Sequence, residues 1–374
     1  MTDFAVHPAL EPVTLIGAKL ANRLAVAPMT RVSAREDGTP TGAMARYYSA
    51  FASGGFGLVI TEGTYTDTQY SQGYFFQPGI VTESHVKAWR PIVESIHAGG
   101  AYAVMQLMHA GALSQGNRFR TDTAGPSAVP PKGQMMPEYG GSGPWPTPRA
   151  MNDDDIETAI QGFVAAALNA RRAGFDGVEV HAANGYLLDQ FLTNYTNLRC
   201  DAYGGSVPNR IRLTSQVVQR IRAEIPDEGF WIGVRLSQTK VNDFQYRWAG
   251  SDDARVVFTS LADAGADYLH VASEGRDWIE TARLDDGDTI TALAKKVTGL
   301  PVIANGGMHD MTQAARLLEE GHADVLSLGR GALANPDLPN RVACGQELEI
   351  FDHAMLQPRA SLDNAGTWRR DTSA

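Results

Sequence analysis

The sequence predicts an α/β protein folded as a single (β/α)8 TIM barrel, with an extended loop after strand three and a short N-terminal hairpin. Three observations carry that prediction. Eight short, near-continuously apolar runs recur along the chain, amphipathic stretches lie between them, and several of those stretches run into a glycine shortly before the next run.

The runs are Leu24–Ala27, Leu58–Thr61, Ala103–Leu107, Gly177–His181, Phe230–Leu236, Tyr268–Ala272, Pro301–Asn305 and Asp324–Leu328. Unbroken apolar strands are covered on both faces, as parallel strands under helices must be. Eight is the number that closes a barrel. Between them, Ile156–Ala173, Arg210–Ile225, Asp253–Ala264 and Met311–Glu320 have helical periodicity. Asn152 with three following aspartates, Ser251 with two, and Asp310 are N-terminal capping signals, and Gly174, Gly265 and Gly321 are C-terminal ones.

A plain barrel needs roughly 250 residues, so a chain of 374 carries a surplus. It sits in residues 1–23, expected to hold a hairpin closing the barrel floor, in the Gly-, Pro- and Ser-rich segment 111–151, and in the tail after Leu338. A loop of that length is a functional lid or a disordered insert. No composition break or repeat divides the chain, so residues 1–374 are expected to form one domain, with a core of about 15–340 and a lid of about 111–151.

Composition excludes several classes. The hydrophobic share of 43% and charged share of 20% are those of an ordinary globular protein. A net charge of −10 repels polyanions, so neither nucleic acid nor an anionic membrane is an expected partner. Cys200 and Cys344 stand alone, too few for a disulfide framework, a zinc ribbon or an iron–sulfur cluster, and no metal site is expected. The first residues lack a signal-peptide pattern, and no apolar run of about 18 residues is present. A cytoplasmic monomer or homodimer acting on a small molecule is the expectation.

Active sites of this fold lie past the C-terminal ends of the strands. There the sequence places Pro28, Met29 and Thr30 after strand one, Glu62 and Gly63 after strand two, Gln106 and His109 at strand three, and His181, Asn184 and Tyr186 after strand four. Arg235 lies in strand five, Asn305-Gly306-Gly307 ends strand seven, and Gly329-Arg330-Gly331 ends strand eight. Glycine turns on neighbouring strands seven and eight expose N–H groups, and Arg330 adds a charge, the arrangement of a phosphate site. Ordinary turn glycines beside a surface arginine are the alternative.

His181 and Asn184, three residues apart on one strand-to-helix turn, can point hydrogen-bonding groups at one oxygen. A carbonyl polarised in that way accepts hydride at its β-carbon. Tyr186, with an ordinary pKa of about 10, stays protonated and can quench the carbanion. Taken singly, His181 is better read as a satisfied strand-end histidine and Tyr186 as a helix-start aromatic packed under the lid; three polar groups at one strand end shift the balance. Arg235 needs an anion inside an apolar strand: a reduced flavin near N1 and C2, or a carboxylate such as Glu179. Gln106 suits a pyrimidine edge, or is a core amide satisfied by backbone.

These residues together resemble the old yellow enzymes, FMN-dependent NAD(P)H oxidoreductases (ene-reductases). The resemblance runs from about Leu15 to Pro339, through NRLAVAPMTR, EGTY, MQLMHAG, GFDGVEVHAANGYLLDQFLTNYTNLRCDAYGGSVPNRIRL, GVRLS, VIANGGM and DVLSLGRGALANPDLP. It implies that Thr30 donates to flavin O4, that Pro28, Met29 and Gly63 touch the isoalloxazine through backbone, and that Gln106 and Arg235 hold its pyrimidine edge. It further implies a phosphate site at Gly307, Gly329 and Arg330, a substrate carbonyl held by His181 and Asn184, and a proton donor in Tyr186. The implied cycle is ping-pong. NADPH or NADH reduces FMN and leaves; an activated alkene, an enone or nitro compound, then takes hydride from N5 at its β-carbon and a proton from Tyr186 at its α-carbon.

The tail QPRASLDNAGTWRRDTSA departs from the family's pattern, Trp368 included, and so does SEGRDWIETARLDDGD after strand six, where Trp278 either shapes the pocket or sits on a surface loop. Two other readings compete. A Schiff-base aldolase barrel would use a strand-end lysine, but of six lysines only Lys240 comes near, in what reads as a polar loop beyond strand five. A non-catalytic flavin carrier would have no use for Tyr186 and Asn184.

Overall fold

Eight parallel strands pair in a closed ring, each hydrogen-bonded to the next and the eighth to the first. They are β1 (Leu24–Val26), β2 (Leu58–Ile60), β3 (Tyr102–Met108), β4 (Gly177–Asn184), β5 (Trp231–Lys240), β6 (Tyr268–Ala272), β7 (Val302–Asn305) and β8 (Val325–Leu328). The coordinates, a computed structural model, describe residues 7–273, 278 and 282–372. Helices α1 (Gly42–Ser53), α2 (Glu83–Ala98), α3 (Asp153–Ala173), α4 (Val207–Glu224), α5 (Ser251–Asp263), α6 (Ile290–Thr298), α7 (Met311–Glu319) and α8 (Leu338–Ala343) follow the strands in turn. The (β/α)8 expectation is met.

Two of the three N-terminal signals act as expected, whereas Ser251 is the first residue of α5, after Gly250, and makes no cap. Asn152 and Asp155 form a reciprocal capping box at α3, and Asp310 caps α7. The floor is a hairpin, Val13–Leu15 against Ala18–Leu20, whose Leu15 and Leu20 join Ala25, Leu58, Val104, Ile303 and Val325 in one apolar cluster. In β5 the inward-facing position between Trp231 and Arg235 is Gly233, where a Cβ would lie 1.9 Å from the Tyr268 ring. Only glycine admits that tyrosine to the barrel axis.

Two strands run further than predicted. β4 reaches Asn184 and β5 reaches Lys240, which pair with each other across a register shift. Lys240 is therefore not in an exposed loop but is the last residue of a strand, 1% exposed. Polar residues here continue a ladder because a neighbouring strand offers partners, which no single-chain pattern displays.

Segment 111–151 carries 3-10 turns at Gly111–Leu113 and Pro137–Tyr139 and a small parallel pair, Ala124–Gly125 with Arg149–Ala150. Its Met135, Met136, Tyr139 and Trp145 pack with Val32, Tyr74, Met108, Leu113 and Tyr186 over the barrel mouth. The tail reaches the same place: Ala360 N–H donates to the Glu138 carbonyl, Arg31 to the Ser361 carbonyl, and Leu362 N–H to Ser33 Oγ. It pins the loop after β3 to the loop after β1. Among the described residues no helix is long and apolar enough to cross a membrane, and no group of side chains is arranged for a metal ion.

Candidate active site

Past the C-terminal end of β4 the chain turns sharply. Asn184 takes a left-handed φ of 67° and Gly185 one of 89°, conformations that cost a side-chain-bearing residue unless its surroundings hold it. Here they do. Asn184 N–H donates to Ser237 Oγ at 2.8 Å, its carbonyl accepts from Val241, and Gly185 N–H donates to Asp189 Oδ2 at 2.7 Å. The turn brings the three predicted residues together. The His181 and Tyr186 rings stand 5.0 Å apart, and His181 Nδ1 and Asn184 Oδ1 are buried without a hydrogen-bond partner. Buried polar atoms normally find partners, so the turn has unused hydrogen-bonding capacity: His181 Nδ1–H can donate to a ligand oxygen, and so can Asn184 Nδ2 once its amide is turned. Burial, helped by the charge of Arg235, pulls the His181 pKa down to about 3, and the imidazole is neutral at any ordinary pH.

The Tyr186 hydroxyl meets that of Tyr74, in the loop after β2. Burial first, then the neighbouring Tyr186, pushes the Tyr74 pKa well above its ordinary value. Sequence reasoning missed Tyr74. Nothing in SQGYFFQPG distinguishes it from Phe75 and Phe76, and only the fold brings it to β4.

The turn rests on a buried ion pair. Lys240 Nζ donates to Asp189 Oδ1 at 2.6 Å, with both side chains all but inaccessible. Burial pushes the Asp189 pKa up, and Lys240 and the Gly185 N–H only partly reverse it. The lysine that the sequence offers to an aldolase is a structural counter-ion. Lys240→Met is expected to lower stability by ~3–5 kcal/mol, because it strands a buried carboxylate, and Asp189→Asn added to it should restore most of the loss. Urea unfolding of both variants is the check, and equal midpoints for wild type and Lys240→Met would refute it.

Below the turn lies a polar layer. Gln106 Nε2 donates to Glu179 Oε1 at 2.8 Å, so the amide is satisfied by a side chain and not by backbone. Arg235 donates to His270 Nε2 at 2.6 Å and to Asn305 Oδ1 at 3.3 Å. On the opposite rim, Pro28, Met29 and Thr30 are partly exposed at the end of β1, and Gly63 packs on Met108. Met29 Sδ lies 3.6 Å from where a Gly329 Cβ would stand. Gly306 and Gly307 have φ of 129° and 69°, and the short helix Arg330–Ala334 begins at Gly329 with no side-chain cap. Its first N–H groups therefore lack intrahelical acceptors. Arg330 is exposed, its guanidinium 6.0 Å from the Phe351 ring centre.

This donor set suits FMN: uncapped N–H groups and an arginine on one rim for a phosphate, an amide and a guanidinium at the barrel axis for a pyrimidine edge, and glycines where a flat ring must approach backbone. Trp278 does not join it. Its ring is buried 5.5 Å from His322, which precedes β8 at the other end of the barrel. Residues 274–277 and 279–281 of that segment lie outside the described residues.

Comparison with known proteins bears on the family and the fold. The model of the NADH:flavin oxidoreductase / NADH oxidase family matches residues 9–349. A putative 12-oxophytodienoate reductase 5 of Oryza sativa subsp. japonica is 35% identical over 361 residues, 94% of this chain and 92% of that protein. A probable flavin mononucleotide-dependent alkene reductase of Leishmania infantum is 34% identical over 362 residues, 94% of each. Among solved structures, the old yellow enzyme homologue of Zymomonas mobilis superposes with a TM-score of 0.83 at 31% identity, covering 95% of this chain and 99% of that one. Morphinone reductase in complex with tetrahydroNAD gives 0.81 at 31% identity, covering 93% of each.

Proposed function

Since the chain belongs to the NADH:flavin oxidoreductase / NADH oxidase family, that of the old yellow enzymes, we propose that it reduces the C=C bond of α,β-unsaturated carbonyl or nitro compounds, with Tyr186 as proton donor. At the coarser level it is an NAD(P)H-dependent flavin oxidoreductase acting on C=C bonds, with FMN as cofactor. The observation that carries the finer reading is the unpartnered, buried His181 Nδ1 beside the Tyr186 ring, with the equally unpartnered Asn184 amide able to turn its Nδ2 to the same oxygen.

Bound FMN supplies the hydride, taken from NAD(P)H and passed from N5 to the β-carbon of the alkene. The protein does the rest. Gln106 and Arg235 would hold the flavin's pyrimidine edge, Thr30 would donate to its carbonyl oxygen, Pro28, Met29 and Gly63 would line its ring, and Gly307, Gly329 and Arg330 would take its phosphate. His181 and Asn184 grip the substrate's carbonyl or nitro oxygen, where negative charge gathers as hydride arrives at the β-carbon. A neutral imidazole suits that role, since it does not compete with Tyr186 as a proton donor and adds no second buried cation beside Arg235. Tyr186 hands its proton to the α-carbon, and the Tyr74 hydroxyl holds the donor in place. Met135, Met136, Tyr139 and Trp145 keep bulk water from the transfer.

The test is a visible spectrum followed through both half-reactions. The purified protein is expected to show a flavin band that bleaches with anaerobic NADPH and returns with 2-cyclohexenone. A colourless protein that takes up no added FMN would overturn the reading. A band that bleaches but is not restored by the enone would reject the substrate class and leave the cofactor in place.

A further inference from the structure

Six consecutive strands, β3 to β8, contribute a polar side chain to one hydrogen-bonded network: Gln106, Glu179, Arg235, His270, Asn305 and Ser327. Polar groups so deep are expensive unless fully bonded. Glu179, 0% exposed, accepts from Gln106 at 2.8 Å, from His270 Nδ1 at 2.8 Å and from the Tyr268 hydroxyl at 3.2 Å. On its other side, His270 Nε2 faces Ser327 Oγ at 2.7 Å and Arg235 Nη1 at 2.6 Å.

A carboxylate at Glu179 requires the hydrogen on Nδ1, which leaves the Nε2 lone pair to accept from Ser327 and Arg235, while the 3.1 Å approach of Arg235 Nη1 to Nδ1 is packing against the ring. Burial and the Arg235 charge together lower the His270 pKa to about 4, which keeps the ring neutral. Burial opposes ionisation of Glu179, but His270, Arg235 and Gln106 outweigh it and hold the carboxyl below its usual range. The chain thus runs from carboxylate through neutral imidazole to guanidinium. The strand register builds it: Arg235 pairs with His181 on β4 and with His270 on β6, and Glu179 lies two residues before His181.

We propose that Glu179 is a positioning residue for the flavin edge: through His270 and Gln106 it holds the Arg235 guanidinium and the Gln106 amide in place, and its charge limits how strongly the site favours reduced over oxidised FMN. This rests on the assignment of Gln106 and Arg235 to that edge. Arg235 supplies a positive charge that attracts the electron-rich cofactor, and Glu179 offsets part of it. Charge and anchoring act in opposite directions, so two substitutions separate them.

Glu179→Gln keeps the shape and removes the charge, and Gln106 can turn its amide to meet the new one. It is expected to raise the ratio of reduced to oxidised FMN affinity about tenfold, a positive shift of about 30 mV for a two-electron couple. Glu179→Asp keeps the charge but shortens the arm, and is expected to shift the FMN potential negatively by freeing Arg235. Both are read by anaerobic redox titration and by FMN dissociation constants, with Arg235→Gln as reference. Shifts of the same sign, no shift in either variant, or loss of FMN from both while Arg235→Gln stays loaded would overturn the proposal. An Arg235→Gln potential equal to wild type would instead reject the assignment of Arg235 to the flavin edge.

Discussion

Tyr186→Phe is expected to slow reoxidation of the reduced enzyme by an enone by about 10²- to 10⁴-fold, the usual worth of a positioned proton donor. FMN reduction by NAD(P)H should keep nearly its wild-type rate, because hydride transfer to the cofactor asks no proton of Tyr186. Phenylalanine preserves the ring contact with His181 at 5.0 Å and the apolar packing with Met108 and Leu113, so the pocket keeps its shape. What disappears is the hydroxyl and its bond to Tyr74. Tyr74 does not replace it, since burial keeps that hydroxyl a very weak acid. Stopped-flow measurement of the two half-reactions makes the comparison, and an equal loss in both would remove Tyr186 from the role of proton donor.

Replacing His181 and Asn184 together by alanine is expected to abolish the long-wavelength charge-transfer band that phenols give with a flavin, and to cut enone reduction by about 10³-fold or more. A single donor to a developing oxyanion is worth about 10²- to 10³-fold, and here both members of the pair are removed. Their atoms are buried, unpartnered and held by a turn whose φ of 67° at Asn184 is fixed by Ser237 and Val241. With a pKa of about 3, His181 is neutral throughout the working range. It should therefore add no inflection to the pH profile of the wild-type enzyme between about pH 5 and 9. Phenol binding that survives the double substitution, followed by titration at the charge-transfer band, would place the oxygen site elsewhere.

The two competing readings fare differently. Lys240 is engaged by Asp189 in a closed ion pair, which leaves the aldolase hypothesis without a nucleophile. A flavin carrier without catalysis is answered by family membership, and the half-reaction experiments address it directly.

Much of this is legible in the chain because it is locally encoded. β6 occupies Tyr268–Ala272, the very run predicted, and Asn152 and Asp310 cap the helices they announce. Apolar period and capping chemistry act over a few residues and need no distant partner. The cluster His181, Asn184 and Tyr186 is legible for the same reason: one turn holds all three. Other features depend on strands or loops far apart in sequence. The last residues of β5 look like loop until Asn184 pairs with Lys240. Tyr74 lies 112 positions from the hydroxyl it meets. Gln106 and Arg235 each admit two kinds of partner in the sequence, and the fold brings both to one carboxylate, directly for Gln106 and through His270 for Arg235. The tail, unlike the family's in sequence, closes over the mouth by backbone bonds at Ala360, Ser361 and Leu362 that side-chain identity does not announce.

By itself, then, the sequence determined the barrel, the end of it that carries chemistry and the turn after strand four, because hydrophobic period, caps and a contiguous motif are short-range properties. Only the tertiary structure decided how the buried charges are paired, what supports the catalytic tyrosine and which segments roof the site. Those depend on free energies of burial and hydrogen bonding between residues that the chain keeps far apart until the ring of strands closes.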